Sequence, residues 1–174
     1  LRKLPGKLRV SGWKVKAVLH GDEVLEVKPQ ENKNIHGLAV DVGTTTVVGY
    51  LVDLMTGKVV STKSDYNGQI VYGDDVITRM NYALDNYGNL RELQDRVVAT
   101  INQLASEAAK EAGCSTTDIY EVTFAGNTVM TSFLVGAETF AIATTPYVPS
   151  FSSSLNLKAK TLGIRLNESA RAYT

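Results

Sequence analysis

The chain has 174 residues, with 18 Lys plus Arg against 18 Asp plus Glu, so its formal net charge is zero and nothing pulls it electrostatically toward nucleic acid or an acidic membrane. Hydrophobic residues at 44% and charged residues at 21% predict a packed core, in one domain or one domain with a small appendage. The single cysteine, Cys114, excludes an internal disulfide, a zinc site and an iron–sulfur site, and reads as a small apolar side chain.

Residues 8–28, LRVSGWKVKAVLHGDEVLEVK, alternate apolar and polar positions, which predicts a hairpin turning at His20-Gly21-Asp22. Trp13, Val15, Ala17 and Leu19 are expected on one face. A lone hairpin is marginal in water, so it must lean on something else. Residues 29–36, PQENKNIH, read as a polar, Pro-led linker. From Gly37 the pattern changes. Leu38–Val42, Val47–Leu54 and Lys58–Ser64 predict three strands in an antiparallel meander, with a turn at Met55-Thr56-Gly57. The stretch 65–75, DYNGQIVYGDD, reads as a loop, with Asp74 as the expected cap of the helix after it. Val76, Ile77, Met80, Ala83, Leu84 and Tyr87 have helical spacing up to Gly88. Asn89 with Glu92 predicts the cap of a second helix. There Leu90, Leu93, Val97, Ile101, Leu104 and Ala108 form one apolar stripe that Gly113 ends. Ser115 to Asp118 suggests another cap, EVTFAG (121–126) a strand, and NTVMTSFLVG (127–136) a short apolar helix. The tail predicts one strand near 162–166. The order βββ, αα, β, α fits an α/β layer structure and not a doubly wound dinucleotide fold, since the first crossover follows three strands.

No apolar run reaches the ~20 residues of a membrane span and no signal peptide is visible, so a soluble, cytoplasmic protein is expected. Asn167-Glu168-Ser169 matches a glycosylation pattern, which without a secretion signal reads as chance. A start at Leu1 and a stop soon after LGIRL (162–166) suggest a piece of a longer polypeptide.

Three stretches carry candidate chemistry. The first is the turn in VDVGTTTVVGYLVDL (40–54). Gly43 lets backbone N–H groups approach an oxyanion, and the hydroxyls of Thr44, Thr45 and Thr46 add donors in the same place. Asp41 offers a hard oxygen for Mg²⁺ through water, or a group to orient an attacking water. The same residues also suit a plain β-turn followed by β-formers. TGK at 56–58 is not a P-loop, because Asp53 stands where the earlier glycine belongs, and no Gly-x-Gly-x-x-Gly occurs. The second is FAGNTVM (124–130), where a strand runs into a helix at Asn127 and Thr128. That suits an anion at a helix N-terminus, and equally a simple N-cap. The third is YNGQIVYGDDVITR (66–79), a Gly-containing loop with Asn67, Gln69, Asp74, Asp75 and Arg79, functional or merely solvated. His20 and His36 are isolated and read as surface or linker residues.

Taken together these pieces resemble one family. GLAVDVGTTTVVGYLVDLMTG resembles the first phosphate turn of the superfamily of acetate and sugar kinases, heat-shock chaperones and actin. YNGQIVYGDDVITRM, EVTFAGNTVMTSFLVG and PYVPSF resemble, more narrowly, the reductive activators of corrinoid proteins, and the likeness covers about residues 8–174. Those activators are ATP-dependent iron–sulfur electron donors that return Co(II) corrinoids to Co(I) in anaerobic methyl transfer. The step is uphill with ordinary donors, which implies coupling to a nucleotide-driven conformational change.

The resemblance implies a ribonuclease H-like, actin-like ATPase lobe with a mixed sheet over residues 36–174, preceded by a β-hairpin linker region over 1–35. Asp41 would be the catalytic and Mg²⁺-facing residue, and Gly43, Thr44, Thr45, Thr46, Asn127 and Thr128 would hold ATP. Asn67, Gln69, Tyr72, Gly73, Asp75 and Arg79 would form a cleft wall or partner surface. The parent would use Mg·ATP and a [2Fe–2S] cluster, act on a corrinoid protein, and form a homodimer, with no nucleic-acid or membrane partner. The cluster's cysteines have no counterpart in this chain, and neither does the second lobe with its Gly-rich loop and adenosine pocket. The chain alone is therefore expected to bind nucleotide weakly or not at all, and not to hydrolyse it. Two other readings stay open: a lobe of a small-molecule kinase of the same superfamily, and a non-catalytic protein-binding module.

Overall fold

The computed structural model describes residues 4–32, 34–86 and 88–174. Tyr87, placed by its spacing in the first long helical pattern, lies outside the described residues, as do Leu1 to Lys3 and Lys33 of the amino-terminal region. The chain opens with a short helix, α1 (Leu4–Val10), whose last three residues, Leu8–Val10, the alternation assigns to the hairpin. Strands β1 (Val15–His20) and β2 (Glu23–Pro29) follow as the expected antiparallel hairpin, turning at Gly21-Asp22. Its inward face differs from the expected one. Trp13, Ala17 and Leu19 are exposed, while Val18 is buried. The hairpin meets the rest of the chain through polar groups, so what points inward is set by those partners and not by the most apolar row. The expected linker is shorter than 29–36: Pro29 closes β2, and His36 is the buried first residue of the next strand.

Strands β3 (His36–Val42), β4 (Thr46–Asp53) and β5 (Lys58–Tyr66) form the antiparallel meander. A 3₁₀ turn, Gly68–Tyr72, leads to α2 (Val76–Asp85) and α3 (Asn89–Glu111). These cross over to β6 (Ile119–Gly126), which pairs with β3 in parallel. Then come α4 (Thr128–Val135) and α5 (Phe140–Ala143), followed by two short strands, β7 (Asn156–Lys158) and β8 (Arg171–Tyr173). Among the described residues the main sheet has the order β5-β4-β3-β6-β8-β7, with β6 and β8 parallel. This α/β unit with a mixed sheet is the ribonuclease H-like arrangement. The strand expected near 162–166 is not there. Ala159–Leu162 is a 3₁₀ turn closed by Gly163 in the left-handed region, and the strands lie on either side of it.

The core lies on one face of the sheet. Along β3 and β4, Leu38, Val40, Val42, Val47 and Leu51 are buried, while Ala39, Asp41 and Tyr50 between them are exposed. That period of two is the mark of a sheet covered on one side only. The cover is α3 and α4. Leu93, Val97, Ile101, Leu104 and Ala108 of the expected stripe are fully buried and Leu90 is half-buried. Two caps differ from expectation. Gly88, with no side chain to offer, precedes α3, and Asn89 instead donates its Nδ2 to the Tyr82 carbonyl (2.7 Å). Asp75 rather than Asp74 caps α2, accepting from the Thr78 N–H (2.8 Å). The Ser115–Asp118 capping box is present as expected. Cys114 is half-buried, and burial pushes its thiol up, as suits a structural residue.

The hairpin leans on the start of β6 and on β8. Lys28 Nζ reaches Asp118 Oδ1 at 2.5 Å, with both side chains largely buried. Glu26 accepts from Tyr120 Oη (2.7 Å), Asn167 Nδ2 (3.0 Å) and Lys7 Nζ (2.9 Å). His20 Nε2 and Tyr173 Oη stand 2.6 Å apart, and Arg171 pairs with Glu23.

Candidate functional site

The β3–β4 turn and the start of α4 come side by side for a topological reason. Strands β3 and β6 run parallel, with Asp41 opposite Ala125 and Val42 opposite Gly126. Both strands therefore end at the same edge of the sheet, the side on which α/β sheets form ligand crevices. β3 leaves into Gly43–Thr46, and β6 leaves into Asn127 and α4.

At the turn, the Gly43 N–H donates to the Thr46 carbonyl (3.1 Å). The bend is so tight that a Cβ on Gly43 would lie 2.5 Å from that oxygen, which explains glycine here. Asp41, Thr45 and Thr46 are exposed and Thr44 is half-exposed. Among the described residues neither the Asp41 carboxylate nor any of the three hydroxyls has a hydrogen-bond or ion-pair partner in the protein. The site residues thus offer one carboxylate and three hydroxyl donors, with a glycine that leaves the backbone open. That donor set fits a polyphosphate with a hard cation held through water. The chemistry of the single cysteine does not fit an iron–sulfur cluster, and among the described residues no three His, Cys, Asp or Glu side chains lie together.

Asn127 caps α4: its Oδ1 accepts from the N–H groups of Val129 (3.0 Å) and Met130 (2.9 Å). Its carboxamide oxygen is therefore occupied, and what faces outward at the exposed Asn127 and Thr128 is the helix start itself. Gly136 in the left-handed region ends the helix, with its N–H on the Phe133 and Ser132 carbonyls.

The third stretch divides. Asn67, Gln69 and Arg79 are fully buried, so they are neither a cleft wall nor a partner surface. They lie behind the turn. Asn67 Nδ2 donates to the Gly43 carbonyl (2.9 Å), and its backbone N–H donates to the Thr45 carbonyl (2.8 Å). Arg79 donates through Nε to the Gly73 carbonyl (2.8 Å) and through one terminal nitrogen to Gln69 Oε1 (3.3 Å). Burial pulls the Arg79 guanidinium below its ordinary value, with Asp74 and Asp75 acting the other way. Tyr72 is half-buried and stacks on Tyr82 at 4.5 Å between ring centroids. The Tyr82 hydroxyl donates to Glu92 (2.8 Å), and that bond pushes it up to about 12. Gly73 is half-exposed, and Asp75 is an exposed helix cap whose carboxyl is lowered by the Thr78 N–H.

Sequence reading missed Thr100 and Met130. Thr100 sits on the buried stripe of α3, three residues after Val97, and its Oγ1 accepts from the Gly68 N–H (3.2 Å). A polar residue at an apolar spacing was the available signal. Met130 places its sulfur 3.6 Å from Arg79 and 3.9 Å from Asn67 Nδ2. Nothing in the pattern of α4 marks it, since a methionine in an apolar helix is unremarkable.

Comparison with known proteins agrees with this architecture. The curated corrinoid activation enzyme RamQ of Eubacterium limosum is 28% identical over 152 residues, covering 86% of this chain and 26% of that protein. A solved structure of a reductive activator for corrinoid, iron-sulfur protein superposes with a TM-score of 0.87 at 34% identity, over 99% of this chain and 28% of that one. The chain thus spans about a quarter of the length of these relatives. The family described as the RACo middle region matches residues 36–174, beginning where β3 begins. With that much of its length matched, the chain belongs to the RACo middle region family.

Proposed function

We propose that this chain is the first nucleotide-facing lobe, with its linker hairpin, of an ATP-dependent reductive activator that returns Co(II) corrinoid proteins to Co(I). Residues 1–35 are the linker region and 36–174 the lobe. The observation that carries the reading is the open Asp41–Thr46 turn beside the α4 N-terminus, in a chain of the RACo middle region family. In this reading Gly43 and the Thr44, Thr45 and Thr46 groups hold phosphate oxygens. Asn127 and Thr128 present the helix start to the same anion. Asp41 holds a cation through water and is the residue placed to orient an attacking water. Bound Mg·ATP supplies the free energy that an uphill reduction needs. The lobe supplies one surface of a cleft whose other surface belongs to the rest of the polypeptide, and closure of the two is the two-state element. The parent carries a [2Fe–2S] cluster on cysteines outside this chain, passes electrons to the corrinoid protein, works as a homodimer and acts in the cytoplasm.

The test uses the full-length polypeptide that carries this lobe, mixed with its Co(II) corrinoid protein, a reductant and Mg·ATP. Co(I) formation is followed by visible absorption. Asp41→Ala is expected to slow ATP-dependent reduction by at least about tenfold, as loss of one charged group at a reacting phosphate does. Unchanged Co(I) formation would remove Asp41 from the mechanism. Loss of phosphoryl transfer to a small molecule instead would favour a kinase.

A further inference from the structure

The candidate phosphate turn is exposed, yet its shape is held from the buried side. Asn67 contacts it twice, through Nδ2 to the Gly43 carbonyl (2.9 Å) and through its N–H to the Thr45 carbonyl (2.8 Å). A trans peptide sets its C=O and the following N–H on opposite sides. Pinning the Gly43 carbonyl on Asn67 therefore turns the Thr44 N–H away from Asn67, the sense in which an anion at the turn would meet it. The Asn67 amide must stand one way round for this. Its orientation is set by Gln69, whose N–H donates to Asn67 Oδ1 (3.0 Å) and whose Oε1 lies 3.4 Å from Asn67 Nδ2. Gln69 is itself held at both ends, by its Nε2 on the Leu93 carbonyl of α3 (2.9 Å) and by Arg79 of α2 on its Oε1 (3.3 Å).

The cost of this arrangement shows that it is not ordinary core. Arg79 is fully buried, and among the described residues no carboxylate pairs with it and one of its terminal nitrogens has no partner. An apolar side chain of similar volume would be cheaper, and unsatisfied buried groups are rare unless geometry requires them. Met130 of α4 leans on both Arg79 and Asn67, so the cluster also touches the second cleft-facing element. We propose that Asn67 is the positioning residue of the phosphate turn, and that Gln69 and Arg79 lock its amide in the orientation that presents the Thr44 N–H to the anion. The proposal rests on the nucleotide reading above for the identity of the anion.

The experiment uses Asn67→Asp and Arg79→Met, with two readouts. In the full-length polypeptide, calorimetry measures Mg·ATP affinity. Asn67→Asp keeps the size and the acceptor for Gln69 but replaces the donor with an oxygen facing the Gly43 carbonyl. It is expected to weaken Mg·ATP binding by about tenfold or more, the loss of one hydrogen bond with the Gly43 carbonyl left facing an oxygen. Arg79→Met is expected to weaken it less, by about threefold, because the Asn67 bond remains. In this 174-residue chain, hydrogen exchange reads residues 43–46 against α3. Faster exchange at the turn with α3 unchanged is expected for Asn67→Asp. Binding within about twofold of wild type in Asn67→Asp would overturn the proposal, as would equal loss of protection in α3 and the turn, which marks plain core packing. If the unaltered polypeptide does not bind Mg·ATP, the nucleotide reading fails by itself. Exchange then decides on Asn67: an unchanged turn would overturn its positioning role.

Discussion

At the scale of single residues, the turn depends on one missing atom. A Cβ on Gly43 would stand 2.5 Å from the Thr46 backbone oxygen, and backbone cannot swing aside as a long side chain can. Gly43→Ala must open the turn and disturb the Asn67 bond to its carbonyl. A loss of about 1–3 kcal/mol is expected, the usual range for an overpacked position, read by urea unfolding of the chain. A change under about 0.5 kcal/mol would mean the bend relaxes freely. Asn127 carries a different lesson. Its side chain satisfies the first turn of α4, so in the proposed reading the same residue serves as cap and as rim of the crevice. The two roles are compatible because capping uses only Oδ1.

At the scale of elements, α3 carries the fold. It packs across β4 and β5, braces the 3₁₀ turn through Thr100, and holds Gln69 through the Leu93 carbonyl. Ile101 is fully buried in its middle, so Ile101→Ala leaves a cavity with no exposed route to collapse. A loss of about 2–5 kcal/mol is expected in the same unfolding measurement. A loss under about 1 kcal/mol would show that the sheet and helix close over the gap. The short strands β7 and β8 are held otherwise, by pairing along one another and along β6, and by the hairpin groups that reach Arg171 and Tyr173.

At the scale of the whole molecule, the hairpin is docked through charged and polar groups beside the buried Val18. Burial alone would raise the Asp118 carboxyl, but the hydrogen bond from Lys28 and that from the Ser115 N–H outweigh it, and the net shift is downward. Glu26 behaves alike: burial opposes, the hydroxyl of Tyr120 and the ammonium of Lys7 win. Both folded values are thus lower than the unfolded ones, near 4 for ordinary carboxyls (about 3.9 and 4.3). Their stabilisation is fully in place above that range and is lost as pH falls through the lower folded values. Asp118→Asn should therefore be less stable than the unaltered chain at pH about 7, with the difference shrinking as pH falls below about 4. Thermal midpoints measured across that interval check this. A difference that stays constant would mean the pair contributes nothing through its charge.

The sequence by itself determined the strand–strand–strand, helix–helix, strand–helix order, the long apolar stripe of α3, the cap at Ser115 and the tight, glycine-dependent bend between β3 and β4. All of these are local: they follow from periods of 2 and 3.6, from turn residues, and from groups a few positions apart. The motifs quoted for the corrinoid activators were equally local, and the family match confirms what they resembled. Only the tertiary structure decided which way Asn67, Gln69 and Arg79 point. In a Gly-containing loop, polar residues read as solvated, and their burial depends on α3 and α4, whose groups that touch them come from 24 or more positions later in the chain. The same holds for the hairpin. Its inward face was set by Asp118, Tyr120 and Tyr173, far away in sequence, so the apolar row of Trp13, Ala17 and Leu19 was left to solvent. Alternation tells which residues share a face, but only the partner that arrives decides which face is covered.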